Sequence, residues 1–208
     1  MAEQNVTNGA AGFKEAVCID AGRVYDSCSD KDCLEDLQVY FTAAEQAKID
    51  RALTVKAKSV EVLNVCLEVE PIPFNRGFYS VDMTFYFLVN LSAYYTPVST
   101  ADTVSGVAFF SKKVILYGSE GNVKVFNSET CESVGRTTDT PRAVVQVVSP
   151  IVLSSRIADN CCDCDCCELT LPASVAGLFD GEFVTSGNRK VLTTLGLFTI
   201  VQLERRVQ

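Results

Sequence analysis

The chain has 208 residues, a formal net charge of −8, ten cysteines and no histidine. A chain of this length can bury a hydrophobic core without disulfide bonds. The acidic balance argues against nucleic acid and anionic membranes as partners, because both need a basic face. No acid, base and nucleophile set stands out. We therefore predict a protein that is not an enzyme and has no cofactor.

The first 53 residues are predicted to form an N-terminal arm with short helices that carry Cys18, Cys28 and Cys33. Residues 1–17 lack periodicity, and their polar start predicts no secretory signal. Ser29 or Asp30 can cap a short helix. The apolar positions of that helix would be Cys33, Leu34, Leu37, Tyr40 and Phe41.

A capping box from Thr42 to Glu45 predicts a second short helix that runs to about Leu53. Residues 54–208 are then predicted to form a β-rich domain. Its first strand spans Val60 to Val69 and has a parity slip near Leu63 and Asn64, which indicates a β-bulge.

The remaining elements of this domain are also strands and turns. Pro71 to Gly77 is a turn, and Val81 to Val89 is an alternating strand. Two strands, Val104 to Leu116 and Asn122 to Phe126, are joined by a hairpin. A Val-rich strand from Ala143 to Ile157 bends at Pro150, and Arg189 to Val207 forms a last long strand. The fold class is therefore mainly β: an antiparallel β-sandwich or barrel-like body with a short helical N-terminal segment.

The densest chemical feature is a seven-residue run that holds half of the cysteines. Its members are Cys161, Cys162, Cys164, Cys166 and Cys167. In an extended strand, same-face neighbours lie about 6.6 Å apart with parallel Cβ vectors, so they cannot readily pair with one another. Their disulfide partners would be Cys18, Cys28, Cys33, Cys131 or another molecule. Asp163, Asp165 and other nearby acids raise thiol pKa values, which makes these cysteines poor nucleophiles.

Metal binding is the alternative for the same run. Thiolates at Cys161, Cys162, Cys164, Cys166 and Cys167 suit Zn or Cu(I). A usual zinc site, however, takes two short-spaced pairs separated by a loop. Disulfide cross-linking is the favoured prediction.

Two further cysteines carry weaker signals. Cys66 shares the polar parity of Asn64 and Glu68 and would face solvent or a partner, although a small buried side chain explains it equally well. Cys131 lies in a predicted loop, where a bridging role is open.

Three stretches carry a resemblance to a known class of proteins. They are Val24–Leu37, Phe74–Asp82 and Phe110–Gly118. Together with the cysteine run, they resemble the cysteine-rich coat and exosporium proteins of clostridial endospores. The resemblance implies synthesis in the mother-cell cytoplasm without a signal peptide, and assembly at the spore surface into disulfide-linked layers, lattices or filaments. It also implies partners: copies of the same chain and other spore coat proteins, with no nucleic acid and no membrane span.

Overall fold

A computed structural model describes residues 21–98, 100–120, 140–159, 170–185 and 187–207. These residues are mainly β-strand, with two short helices, α1 (Ala43–Ile49) and α2 (Ala173–Ala176). The strands are β1 (Ala21–Val39), β2 (Phe41–Thr42), β3 (Thr54–Pro71), β4 (Phe78–Tyr94), β5 (Asp102–Tyr117), β6 (Arg142–Val147), β7 (Ile151–Asp159), β8 (Phe183–Val184) and β9 (Arg189–Val207).

Two antiparallel sheets form the body. In sheet I, β9 is central: β1 pairs with one side, and β6 and β7 follow one another along the other. Sheet II has the order β3-β4-β5. β2 and β8 form a third, two-stranded pair. Among the described residues the strands therefore form separate antiparallel sheets and do not close into one barrel.

The core lies between the two central strands, because every second residue of each strand is buried on the face that meets the other sheet. The buried residues of β4 on this face are Tyr79, Val81, Met83, Phe85, Phe87, Val89, Leu91 and Ala93. Those of β9 are Val191, Thr193, Leu195, Leu197, Thr199, Val201 and Leu203. The apolar members of both sets belong to one hydrophobic cluster, so the two sheets share a single core.

The helix predicted between Ser29 and Phe41 is wrong, because β1 occupies this segment and pairs with β9 from Ala21 to Val39. The long partner strand satisfies the backbone groups of β1, and this tertiary pairing overrides a weak local capping signal. The second predicted helix is present as α1, which follows Thr42, although Thr42 makes no side-chain capping hydrogen bond.

Most of the predicted strands are confirmed. The register of β3 against β4 shifts between Val62 and Asn64, where the bulge was expected. The Val-rich segment breaks at residues 148–150 into β6 and β7, as the bend at Pro150 predicted. β9 has the predicted bounds, whereas the strand predicted at Asn122 to Phe126 lies outside the described residues.

The chain passes from sheet I to sheet II just after β1. Tyr40 and Val107 exchange two backbone hydrogen bonds of 2.7 and 2.9 Å, which add this short segment to the edge of β5. The Phe41 ring is fully buried and lies over Gly106. The predicted boundary at Thr54, between an N-terminal arm and a β-rich domain, stays a prediction. β1 precedes this boundary and pairs along its length with β9, which follows it.

Candidate functional site

The structure describes three of the ten cysteines: Cys28, Cys33 and Cys66. None of these three is in a disulfide. The other predicted cross-linking residues lie outside the described residues, namely Cys18, Cys131, Cys161, Cys162, Cys164, Cys166 and Cys167. The alternative metal ligands are the last five of these.

Cys28 and Cys33 lie on opposite faces of β1. Cys28 pairs in register with the buried Val201 and packs against the core. Cys33 pairs with Gly196 and is exposed on the outer face of sheet I, the face that points away from sheet II. Only Cys33 of the two is therefore positioned to meet another molecule directly.

The surroundings of Cys28 raise the pKa of its thiol. Burial raises its pKa, and the nearby carboxylates of Asp30 and Asp26 raise it further, against a lowering contribution from Lys112. Thiol exchange proceeds through the thiolate, so a raised pKa reduces the reactive fraction at neutral pH. Within the predicted set, Cys28 has a less favourable environment for cross-linking than the exposed Cys33.

Lys112 is the centre of an ion cluster that joins the two sheets beside Cys28. Its Nζ lies 2.6 Å from Asp30 and 2.7 Å from Asp32, both on β1, whereas Lys112 is on β5. Burial alone would lower the pKa of Lys112, but the hydrogen bonds to the two carboxylates raise it overall. The hydrogen bond from Lys112 also lowers the pKa of Asp30.

We expect Lys112→Met to lower the free energy of unfolding by about 1–3 kcal/mol at pH 7, because hydrogen bonds to charged groups are lost. The deficit relative to wild type should shrink as pH falls through the lowered pKa of Asp30. It should also shrink as pH rises through the raised pKa of Lys112. Urea unfolding at several pH values measures both limbs.

The neighbouring lysine provides the control for this experiment. Lys113 pairs with Asp82 at 3.0 Å, but its side chain is 61% exposed. Exposed pairs contribute about 0–1 kcal/mol, so Lys113→Met should change stability little. Equal losses for the two variants would contradict a special role for the Lys112 cluster.

Cys66 lies on the outer face of sheet II, in a small second cluster. Its half-buried side chain packs with Tyr86 and Val107, beneath Val175 of α2. Asn64 donates a hydrogen bond to Ser174 Oγ at 3.2 Å, which ties α2 to the same strand. Of the two interpretations of Cys66, the packed environment supports the small apolar side chain.

The segments that bear the other cysteines leave the body at known points. Ala21, which pairs with Val207, begins three residues after Cys18. Thr140, close to the pairing of Arg142 with Glu204, begins nine residues after Cys131. Asp159 pairs with Arg189 and ends two residues before Cys161. Ala21 and Thr140 lie near the C-terminal end of β9, which we call the Val207 end of the body. Asp159 lies at the other end of β9, which we call the Arg189 end.

The Val207 end is held by an arginine that sequence reasoning missed. Arg205 donates to Gly118 O at 2.6 Å and to Tyr79 Oη at 2.9 Å, and so joins β9 to sheet II. At the Arg189 end, Gln46 donates to Asp50 Oδ1 and to Arg189 O, each at 2.8 Å. These contacts fix both exit points to the core, and no short-range sequence signal reveals them.

A second missed feature is the outer face of sheet I. On β9, Leu192, Phe198 and Ile200 have the parity opposite to the buried residues, so this strand carries some apolar side chains on its outer face as well. That double pattern is visible in the sequence and is the signal that could have found the face.

No group of three or more side chains suited to a metal ion occurs among the described residues. Within the same residues, no helix combines the length and the apolar character needed to cross a membrane. Comparisons with protein-family models, with functionally described proteins and with solved structures found no match for this chain.

Proposed function

We propose that the protein is a structural, self-assembling component of the spore surface, in the coat or exosporium. Its two-sheet body, packed as a β-sandwich, would be linked covalently to copies of itself through the predicted cysteines. In this proposal the chain is made in the mother-cell cytoplasm, and other coat proteins are further partners. It has no catalytic role.

The observation that supports this proposal is that the described residues next to the cysteine-bearing segments lie at opposite ends of a long body. β9 has 19 residues, which corresponds to roughly 60 Å of extended strand. At the Val207 end, Ala21 and Thr140 lie three and nine residues after Cys18 and Cys131, and at the Arg189 end Asp159 lies two residues before Cys161. Thiols near both ends would allow head-to-tail linkage, the type of contact that extends into filaments or layers.

The linking step is an oxidation. Two thiols from neighbouring copies form one S–S bond and lose two protons and two electrons to an oxidant, either molecular oxygen or a low-molecular-weight disulfide. Several such bonds per copy make the assembly resist dissociation far beyond any single contact. A chain that is kept reduced during synthesis would then be cross-linked by disulfides after it has assembled at the spore surface.

The thiolate metal-binding alternative keeps one specific observation in its favour. Cys161, Cys164 and Cys167 follow one another at successive Cys-x-x-Cys spacings, which are common among zinc and iron–sulfur ligands. The described residues contain no group of three or more side chains that could form such a site by themselves. In this alternative the cysteine run would supply most of the ligands.

The test is electrophoresis of oxidised full-length protein with and without reductant, with negative-stain microscopy of the same samples. We expect ladders of high mass that collapse on reduction, together with ordered arrays. Replacing the five cysteines of the run by serine should remove most of the ladder. Cys66→Ser is the matched control, because Cys66 packs beneath α2, and it should leave the ladder unchanged.

Two results would overturn the proposal. A monomer under both conditions would exclude cross-linking. Stoichiometric metal that is bound by the wild type and lost from the five-serine variant, without a ladder, would replace it with the metal-binding function.

A further inference from the structure

Apolar side chains lie along the middle of the outer face of sheet I. Leu192, Phe198 and Ile200 are half-buried, whereas Val148, Ile151 and Leu153 are exposed. Ile151 is 67% exposed and Leu153 57%. A contiguous exposed apolar surface often marks a site of interaction with another molecule. We call these residues and their outward-facing neighbours the sheet I patch.

The two sheets differ in what covers them. The outer face of sheet II packs against Leu171, Val175, Phe179 and Phe183 from the segment around α2. No described residue covers the sheet I patch in the same way. Within the described residues, the segment around α2 thus covers part of the outer face of sheet II, which stays exposed near Ile115 and Tyr117, and covers none of the sheet I patch.

We propose that the sheet I patch is the surface by which two copies of this chain associate face to face, without any disulfide. This inference names a contact for the assembly and so rests on the proposed function, which requires copies of the chain to meet.

Charge favours a second copy as the occupant. The chain as a whole carries −8, so most surfaces of two copies repel each other. Along the stretch of the patch from Leu192 to Gln202, the described charged residues are Lys31, Arg156, Asp36 and Glu35, whose charges sum to zero. Arg156 and Asp36 neutralise each other directly at 2.8 Å. The patch can therefore meet its own copy without the repulsion that opposes contact elsewhere.

The middle of the patch can be placed against its own copy. Gly196 has no side chain, and the nearest atoms to a Cβ there are Ile151 O at 3.9 Å and Leu153 Cδ1 at 4.0 Å. Phe198 is half-buried and lies on the same face two residues further on. A two-fold axis at the level of Leu197, perpendicular to the strand, places Phe198 of each copy over Gly196 of the other. Such an isologous contact repeats each favourable interaction twice.

The size of the patch fits a reversible dimer. From Leu192 to Gln202, the three strand rows span roughly 33 Å by 14 Å, which is on the order of 900 Å² over both copies before side-chain relief is added. Stable interfaces begin near about 1,000 Å². The contact is therefore expected to be weak alone and to become effective once cross-links raise the local concentration.

The test is sedimentation of the full chain in reducing buffer, where disulfides cannot contribute. We expect a concentration-dependent monomer–dimer equilibrium for the wild type. Ile151→Asp should weaken dimerisation by at least about a hundredfold, because a carboxylate would be buried in each half of the interface. Ile115→Asp is the matched control: Ile115 is 60% exposed and lies on the outer face of sheet II, and this variant should dimerise like the wild type.

Two outcomes would overturn the inference. The first is a monomeric wild type at every concentration; if Ile151→Asp also destabilises that monomer, the chain's own remaining residues cover the patch. The second is equal dimerisation of both variants. A reductant-sensitive ladder alongside either of these would leave the proposed function standing, so the two failures are distinguishable.

Discussion

Replacing Phe87 by alanine is expected to lower the free energy of unfolding by about 3–5 kcal/mol, as removal of a large buried aromatic side chain leaves a cavity. Phe87 is fully buried on β4 and lies beside Phe85, with ring centroids 6.3 Å apart. The loss is comparable with the whole stability of many domains. Equilibrium denaturation in urea measures it.

The adjacent residue supplies the control. Leu88 points to the opposite face of β4 and is only partly buried, so Leu88→Ala should cost about 1 kcal/mol. Should Phe87→Ala fail to fold, Phe87→Leu retains most of the volume and is expected to lose less than about 1.5 kcal/mol. A larger loss at Leu88 than at Phe87 would mean that the core does not lie between the sheets.

A side chain at Gly106 is expected to have the second large effect. A Cβ atom there would lie 2.7 Å from the Phe41 ring and 2.7 Å from the backbone oxygen of Tyr40. The backbone cannot yield easily, because Tyr40 is held by two hydrogen bonds to Val107. We expect Gly106→Ala to destabilise the protein by about 1–3 kcal/mol, as overpacking does elsewhere.

Gly196→Ala is the comparison for this variant, since both glycines lie in the middle of long strands. The nearest atoms to a Cβ at Gly196 are 3.9 Å away, which is ordinary contact. Thermal unfolding should therefore leave Gly196→Ala near the wild type and shift only Gly106→Ala to lower temperature. If both variants unfolded at the same temperature, the segment at Tyr40 and Phe41 that crosses between the sheets would be less rigid than the structure indicates.

The long strands could be predicted because their signal is local. Apolar residues at every second position of β4 and β9 define one buried face, and Pro150 removes a backbone donor where the Val-rich segment breaks. β1 could not be predicted in this way. Aspartates and serines separate its apolar residues, and the segment becomes a strand because β9 supplies a partner along its length.

The candidate site likewise has some features that the sequence predicts and others that it does not. The sequence gives the cysteine positions and their acidic neighbours, and hence the expectation of cross-linking. It does not give the burial of Cys28, the exposure of Cys33 or the packing of Cys66 beneath α2, because each depends on which strands lie side by side.

The sequence by itself thus determined a mainly β, antiparallel, acidic protein whose chemistry is concentrated in its thiols, since composition and period-two alternation are properties of single segments. Only the tertiary structure decided that β1 is a strand, that Lys112 joins the sheets through Asp30 and Asp32, and that the segment around α2 covers part of the outer face of sheet II. These features depend on contacts between residues far apart in sequence, and a local pattern does not encode which distant segment becomes the partner.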